Sequence, residues 1–187
     1  SQLSQYLTEQ GIDNSRPDLS GMRFTAAPPA GGQEARQIHV RYSSSFYGQW
    51  EYDPARGVYL RSQDAAEAQT VADEQYTPLT DRVDGQQVQA DTVVVLLVPH
   101  EYWFKQGRTE IFDIQLHGFG KAYVFRDGRV YEATWGRNAD TQVLSLFNPD
   151  GSRFPLKPGR TFYQVMGVNS QVTQPAEGVW RFLFWLP

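Results

Sequence analysis

Cysteine is absent from this 187-residue chain. That removes disulfides, thiolate nucleophiles and cysteine-held zinc or iron–sulfur centres at once. It does not fix a compartment, because cysteine-free chains occur on both sides of a membrane. No apolar run approaches the ~20 residues that a membrane-crossing helix needs. No charged segment followed by an apolar one opens the sequence, so no export signal is visible in it. Positive charge is also scarce. The 17 Lys and Arg are outnumbered by 21 Asp and Glu, for a net charge of −4. Non-specific nucleic-acid binding needs a basic face, so no nucleic-acid partner is expected. Turn signals are plentiful but irregularly spaced, so no sequence repeat is read from them.

Catalytic signatures are missing as well. There is no GxSxG elbow around Ser43-Ser44-Ser45, which read as polar turn residues. The three histidines, His39, His100 and His117, could meet Asp113 or Glu101 at a metal, but no HxH or HExxH spacing supports this. Neither a metal nor a cofactor is expected. Glu51 and Asp53 lie too close together, in too ordinary a hairpin, to read as an acid/base pair.

What the chain does have is aromatic side chains, 14% of its residues, in strand-like patterns. SQLSQYLTEQGI (1–12) reads as a short helix with Leu3, Tyr6 and Leu7 on one face and Gly11 as its stop. Arg16-Pro17-Asp18 and AAPPAGGQEA (26–35) have the composition of a connector. Residues 1–35 are therefore expected to be the tail of an upstream half, and 36–187 a β-rich domain. Strands are expected at Gln37–Ser43, Gln49–Tyr52, Val58–Arg61, Thr92–Pro99, Ile111–Leu116, Ala122–Phe125, Arg129–Trp135, Thr161–Val168 and Val179–Leu186. Turns are expected at DPARG (53–57), Asp84-Gly85 and Asn148-Pro149-Asp150-Gly151. TVVVLLVP (92–99) is continuously apolar, as a strand buried on both faces would be. Residues 62–76 are polar and alanine-rich, either a short helix or an irregular excursion. VWRFLFWL (179–186) is either a central strand or an edge awaiting a partner. The fold class is mainly β, an antiparallel sandwich or a partly open barrel with a short N-terminal helix.

The stretch HGFGKAYVFRDGRVYEATWGR (117–137) mixes a histidine, a Gly-x-Gly-Lys run and a glutamate. A phosphate cradle would need those glycines to lead into a helix N-terminus, and here they lead into a strand. Asp127-Gly128 instead fits a two-residue hairpin turn with positive φ angles. That turn pairs Arg126 with Arg129, Val124 with Tyr131, Ala122 with Ala133 and Gly120 with Trp135. Trp135 then covers the bare backbone of Gly120. On the other face Lys121 and Glu132 become diagonal neighbours within reach of a salt bridge. His100 and His117 end strands, where sites often lie, although a hydrogen-bonded structural histidine is the commoner case. Trp50, Tyr52 and Tyr59 are expected to stack across their hairpin. If exposed, they could grip a sugar or peptide.

YSSSFYGQWEYDPARGVYLR (42–61), LTDRVDGQQVQADTVVVLLVPH (79–100), GFGKAYVFRDGRVYEATWGR (118–137) and FNPDGSRFPLKPGRTFYQV (147–165) form an ordered series of motifs. In this series the chain resembles the C-terminal part of the YerB-like bacterial lipoproteins, a domain family of unknown function. The likeness covers about 36–168. Residues 62–76 and 169–187 depart from the compact pattern. The resemblance implies an exported parent protein, anchored by a lipidated cysteine near its start, with an α/β half ahead of this β-rich half. It brings no catalytic residues. The expected role is a non-catalytic binding or assembly module of the bacterial cell envelope. Its expected partner is the upstream half of the same precursor or another envelope protein, and its only membrane contact the lipid anchor of the parent chain. The candidate site residues are His100, His117, Lys121, Glu132, Trp135, Trp50 and Tyr52. The competing readings are a hydrolase-like site around His100, His117 and Lys121, and a surface protein that assembles through its C-terminal strand.

Overall fold

The structure is a computed structural model that describes residues 2–12, 20–105 and 109–185. Arg16-Pro17-Asp18 and Leu186 lie outside the described residues. One short helix, α1 (Gln2–Glu9), precedes β1 (Arg23–Phe24), β2 (Gln33–Ser43), β3 (Phe46–Asp53), β4 (Val58–Asp64), β5 (Tyr76–Pro78), β6 (Gln89–Ala90), β7 (Thr92–Val98) and β8 (His100–Lys105). Then follow β9 (Thr109–Ile114), β10 (Gly118–Arg126), β11 (Arg129–Arg137), β12 (Ser145–Phe147), β13 (Pro155–Leu156), β14 (Thr161–Gly167), β15 (Gln171–Ala176) and β16 (Gly178–Leu183).

The main sheet runs β14-β7-β10-β11-β2-β3-β4-β5 and curls into an open half-barrel, the partly open barrel of the two expected architectures. Most neighbours are antiparallel, but β14 runs parallel to β7 and β16 parallel to β2. The β10–β11 register is the one the Asp-Gly turn dictates, from Arg126 opposite Arg129 to Gly120 opposite Trp135. Asp127 and Gly128 hold φ of 53° and 72°, the positive values of such a turn.

Because side chains alternate along a strand, the curled sheet has two apolar faces. Val93, Val95, Leu97, Tyr123 and Phe125 line the concave one, together with Ile38, Trp50, Tyr59, Trp180 and Phe182. Val94, Leu96, Val98, Ala122, Val124 and Trp135 line the convex one, covered by Leu146, Phe154 and Leu156. All seven residues of β7 are buried, as its unbroken apolar sequence requires.

The aromatic C-terminal strand is central rather than an edge. β16 is bonded to β15 on one side and β2 on the other. Its Phe182 packs edge-on to Tyr123 and Phe125 at 5.4 and 5.9 Å between centroids. Assembly through a free β16 edge is therefore corrected: among the described residues both of its edges are already paired.

Arg126 is fully buried and holds the connector onto the convex face. It donates to the carbonyls of Thr25, Ala26 and Pro155 and to the Asp127 carboxylate. Tyr131 donates to the Pro29 carbonyl, and its ring leaves no room for a Cβ at Gly32. The Pro/Gly-rich stretch thus lies strapped against the β-domain.

Of residues 62–76, the first three extend β4 and Tyr76 opens β5, while 65–75 are the irregular excursion, with a single 3-10 turn at Val71–Asp73. They fold over the outer face of β2, β3 and β16. The fastening is Glu74, whose side chain is 2% exposed and receives Arg41 at 3.0 Å and Arg181 at 2.7 Å. The Tyr76 hydroxyl donates to Glu74 at 2.5 Å. That hydroxyl has one proton, so the 2.9 Å contact with His39 Nδ1 has the imidazole donating. Burial alone would raise the Glu74 carboxyl. Hydrogen bonds from Tyr76 and Arg181, with the attraction of both arginines, hold it below its usual value instead. Burial, followed by the Arg181 charge, lowers His39 to about 4.

Two predictions follow from this packing. A Cβ at Gly120 would lie 2.4 Å from Trp135 Nε1 and 2.8 Å from the Leu97 carbonyl. Gly120→Ala is expected to lower the unfolding free energy by about 1–3 kcal/mol, read by urea denaturation. The second concerns pH. His39 is neutral when folded down to about 4 but charges near 6.5 when unfolded. Between those values the unfolded chain binds the extra proton, so stability falls with acidification and levels off near pH 4 for this group. The contribution is about 3 kcal/mol. Urea titrations from pH 7.5 to 4.5 should show a slope in wild type that His39→Gln reduces; an unchanged slope would assign the acid sensitivity elsewhere.

Candidate functional site

The residues singled out from sequence do not converge. His100 Nδ1 lies 2.8 Å from the Val98 carbonyl, and its ring meets Phe184 edge-on at 5.6 Å. His117 is exposed and paired with Asp140 at 2.7 Å. Lys121 meets Glu132 at 3.1 Å, with both side chains about half exposed, and its ammonium lies over the Tyr123 ring. A hydrogen bond with Tyr123, and then the Glu132 carboxylate, hold the lysine above its usual pKa, so it stays cationic. A hydrolase-like site would need His100, His117 and Lys121 to face one reacting centre. Each is engaged with a different partner.

The tryptophans are enclosed. Trp135 is fully buried and donates to the Leu97 carbonyl at 2.9 Å. Trp50 is fully buried on the concave face. Tyr52 is half-buried and lies over Gly128, and its ring meets Tyr59 at 5.1 Å but tilted by 49°, not in the stack expected across the hairpin. It lines a hollow of about 380 Å3 with Asp127 and Arg129, and Glu132 lines a separate one of the same size with Tyr131 and Trp180. Among the described residues no group of His, Asp and Glu is arranged to hold a metal.

A larger groove of about 630 Å3 lies at the C-terminal end of β16, where the sequence pattern gave no warning. The excursion supplies one wall through Gln69, Thr70 and Val71, and the C-terminal segment supplies the other through Leu183, Phe184 and Trp185. Trp185 is 67% exposed, although its backbone is fixed by a bond to Ser170. Of the sequence candidates, His100 is in ring contact with Phe184 of the groove wall.

Tyr42 connects the groove to the concave interior. Its ring lines the groove, and its hydroxyl donates to Gln164 Oε1 at 3.0 Å. Burial raises this phenol to about 12, against the lowering effect of Arg61. Arg61 is itself 8% exposed, cross-strand from Trp50. Its guanidinium lies over Trp50 at 5.1 Å and Phe162 at 5.6 Å. Gly48 makes room for it, since a Cβ there would come within 2.6 Å of Nη2. Burial lowers the Arg61 pKa below its usual value. The sequence placed Arg61 only at the end of a hairpin strand. The parity of that strand puts its side chain inside, and this could have been read from its pairing with Trp50.

The comparisons with known proteins fit this architecture. Residues 38–163 match the family model described as "Protein of unknown function (DUF3048) C-terminal domain". The chain is 25% identical over 154 residues to the putative lipoprotein YerB of Bacillus subtilis (strain 168), covering 81% of this chain and 41% of that protein. The crystal structure of YerB from Bacillus subtilis superimposes with a TM-score of 0.62 at 21% identity, over 88% of this chain and 49% of that one, which shows a shared fold. The chain thus spans less than half the length of these relatives. With well over half of its sequence matched by one family model, the chain belongs to the DUF3048 family, whose C-terminal domain it contains.

Proposed function

We propose that this domain is a non-catalytic binding module of a bacterial cell-envelope lipoprotein, taking its ligand in the groove between the 62–76 excursion and the C-terminal segment. The observation that carries this reading is the make-up of the groove. Its apolar wall ends in a largely exposed tryptophan, its floor carries Arg41 and Tyr42, and its backbone is held by β16 pairing and the Glu74 ion pairs. Concave, mostly apolar sites with a few fixed polar groups are what small-ligand binding uses. The envelope setting comes from the putative lipoprotein that the chain resembles. Membrane contact is then made by the lipid anchor of the longer protein, and the rest of that protein, or another envelope protein, is the partner.

The test is isothermal titration of the domain with peptidoglycan fragments, lipoteichoic acid and phospholipid vesicles. Saturable binding to one of these is expected, weakened at least tenfold by Trp185→Ala with an unchanged circular dichroism spectrum. Binding indifferent to Trp185, or turnover of the polymer that depends on His100 or Lys121, would overturn the reading.

A further inference from the structure

We infer that Arg61, Trp50 and Gln164 form an internal receptor for a small carboxylate at the inner end of the groove. A buried arginine must be paired, because an uncompensated charge in the interior costs several kcal/mol. Arg126 shows the structural solution: three backbone carbonyls and a carboxylate take up its donors. Arg61 is nearly as buried, yet among the described residues no carboxylate pairs with it, and its Nη1 has no acceptor.

Two neighbouring donors are in the same condition. Trp50 Nε1 and Gln164 Nε2 are buried and without partners among the described residues. Alternation places all three side chains on the concave face. Trp50 and Arg61 are cross-strand partners, and Gln164 follows Phe162, which touches both, by two residues. The remaining buried atom of this kind, Thr92 Oγ1, belongs to the opposite face of β7. Among the buried side chains of the described residues, the concave face therefore presents three unmatched donors and no unmatched acceptor.

This asymmetry defines the chemistry of the occupant. Water would satisfy the donors but bring hydrogens of its own that need acceptors. An oxyanion accepts only, and it neutralises the guanidinium. The Trp50 and Phe162 rings lie beside the Arg61 guanidinium at 5.1 and 5.6 Å, and its Nη1 edge has no acceptor among the described residues. A planar carboxylate matches that edge. Acetate is the simplest such group, either free or as the carboxylate end of a longer ligand passing Tyr42. The inference rests on the binding-module reading only for this route from the groove.

The experiment compares thermal unfolding in potassium acetate and in potassium chloride at equal ionic strength and pH 7.5. Wild type should show a saturable acetate-specific rise in Tm of about 3 °C or more. Arg61→Met should abolish the response while unfolding at or above the wild-type Tm without acetate, because it removes an unpaired charge. Gln164→Glu supplies a carboxylate from within. It should raise Tm and also abolish the response, which decides the matter if Arg61→Met does not fold. Equal Tm in the two salts, or a response retained in either variant, would overturn the inference. Trp185-dependent binding of an envelope ligand alongside an absent acetate effect would sink the carboxylate receptor and leave the binding module standing. An acetate response without any groove ligand would do the reverse.

Discussion

Side-chain parity in this domain hangs on a two-residue turn. Asp127 and Gly128 close the β10–β11 hairpin with positive φ at both positions. Shifting that pairing by one residue would move either Tyr123 and Phe125 of β10 from the concave face to the convex one, or Trp135 of β11 the other way. The turn is held from several sides. The Asp127 carboxylate receives Arg126 and Lys157, both at 2.8 Å. The Gly128 carbonyl receives the Ala35 amide, and Tyr52 lies on Gly128 where a side chain would otherwise be. The same few atoms thus set the register of the hairpin, dock it on β2 and anchor the segment leading to β14.

With that parity fixed, the two faces divide the work. On the convex face the Arg126 guanidinium and the Trp135 indole both end on carbonyls, and among the described residues the Thr92 hydroxyl is its one buried side-chain group without a partner. The concave face closes differently. β14 lies far from β2 and β3 in the hydrogen-bonded order of the sheet, yet Phe162 meets Trp50 of β3 at 4.9 Å and Gln164 meets Tyr42 of β2. The seam of the half-barrel is made by side chains instead of a backbone ladder, and the unmatched donors sit along that seam.

How much of this the sequence announces depends on how local the cause is. The β10–β11 register was legible to the residue, since Asp-Gly chemistry and alternation act within one hairpin. So was the double burial of TVVVLLV. The β8–β9 pair was half legible: Ile111–Leu116 reads as a strand, while EYWFK after Pro99 lacks an alternating apolar pattern. β15, with Pro175 inside it, reads poorly as a strand because proline withholds a donor; it lies outermost, where that is tolerated. The terminal strand was ambiguous because its aromatics suit a core or an edge equally, and only the parallel pairing with β2, over a long sequence separation, decides between them. Among the candidate site residues, Lys121 and Glu132 met as expected, through a diagonal set by one turn. The groove was out of reach, because its walls come from 69–71 and 183–185 and nothing local links them.

The contrast between the two buried arginines is the closing step. Both sit in strands of the same sheet, both are more than nine-tenths buried, and each faces one of its two apolar clusters. A chain able to surround Arg126 with four acceptors could have done the same for Arg61, or replaced it with an apolar residue at no loss of packing. Instead Gly48 leaves room for it, two rings lie beside it, and its Nη1, like two further donors on the same face, has no acceptor among the described residues. Departures from local consistency that are costly to stability collect where a protein does something other than fold. In this domain the departures collect at the seam, next to the groove, and not at His117 or Lys121, whose contacts are the ordinary ones of an exposed surface.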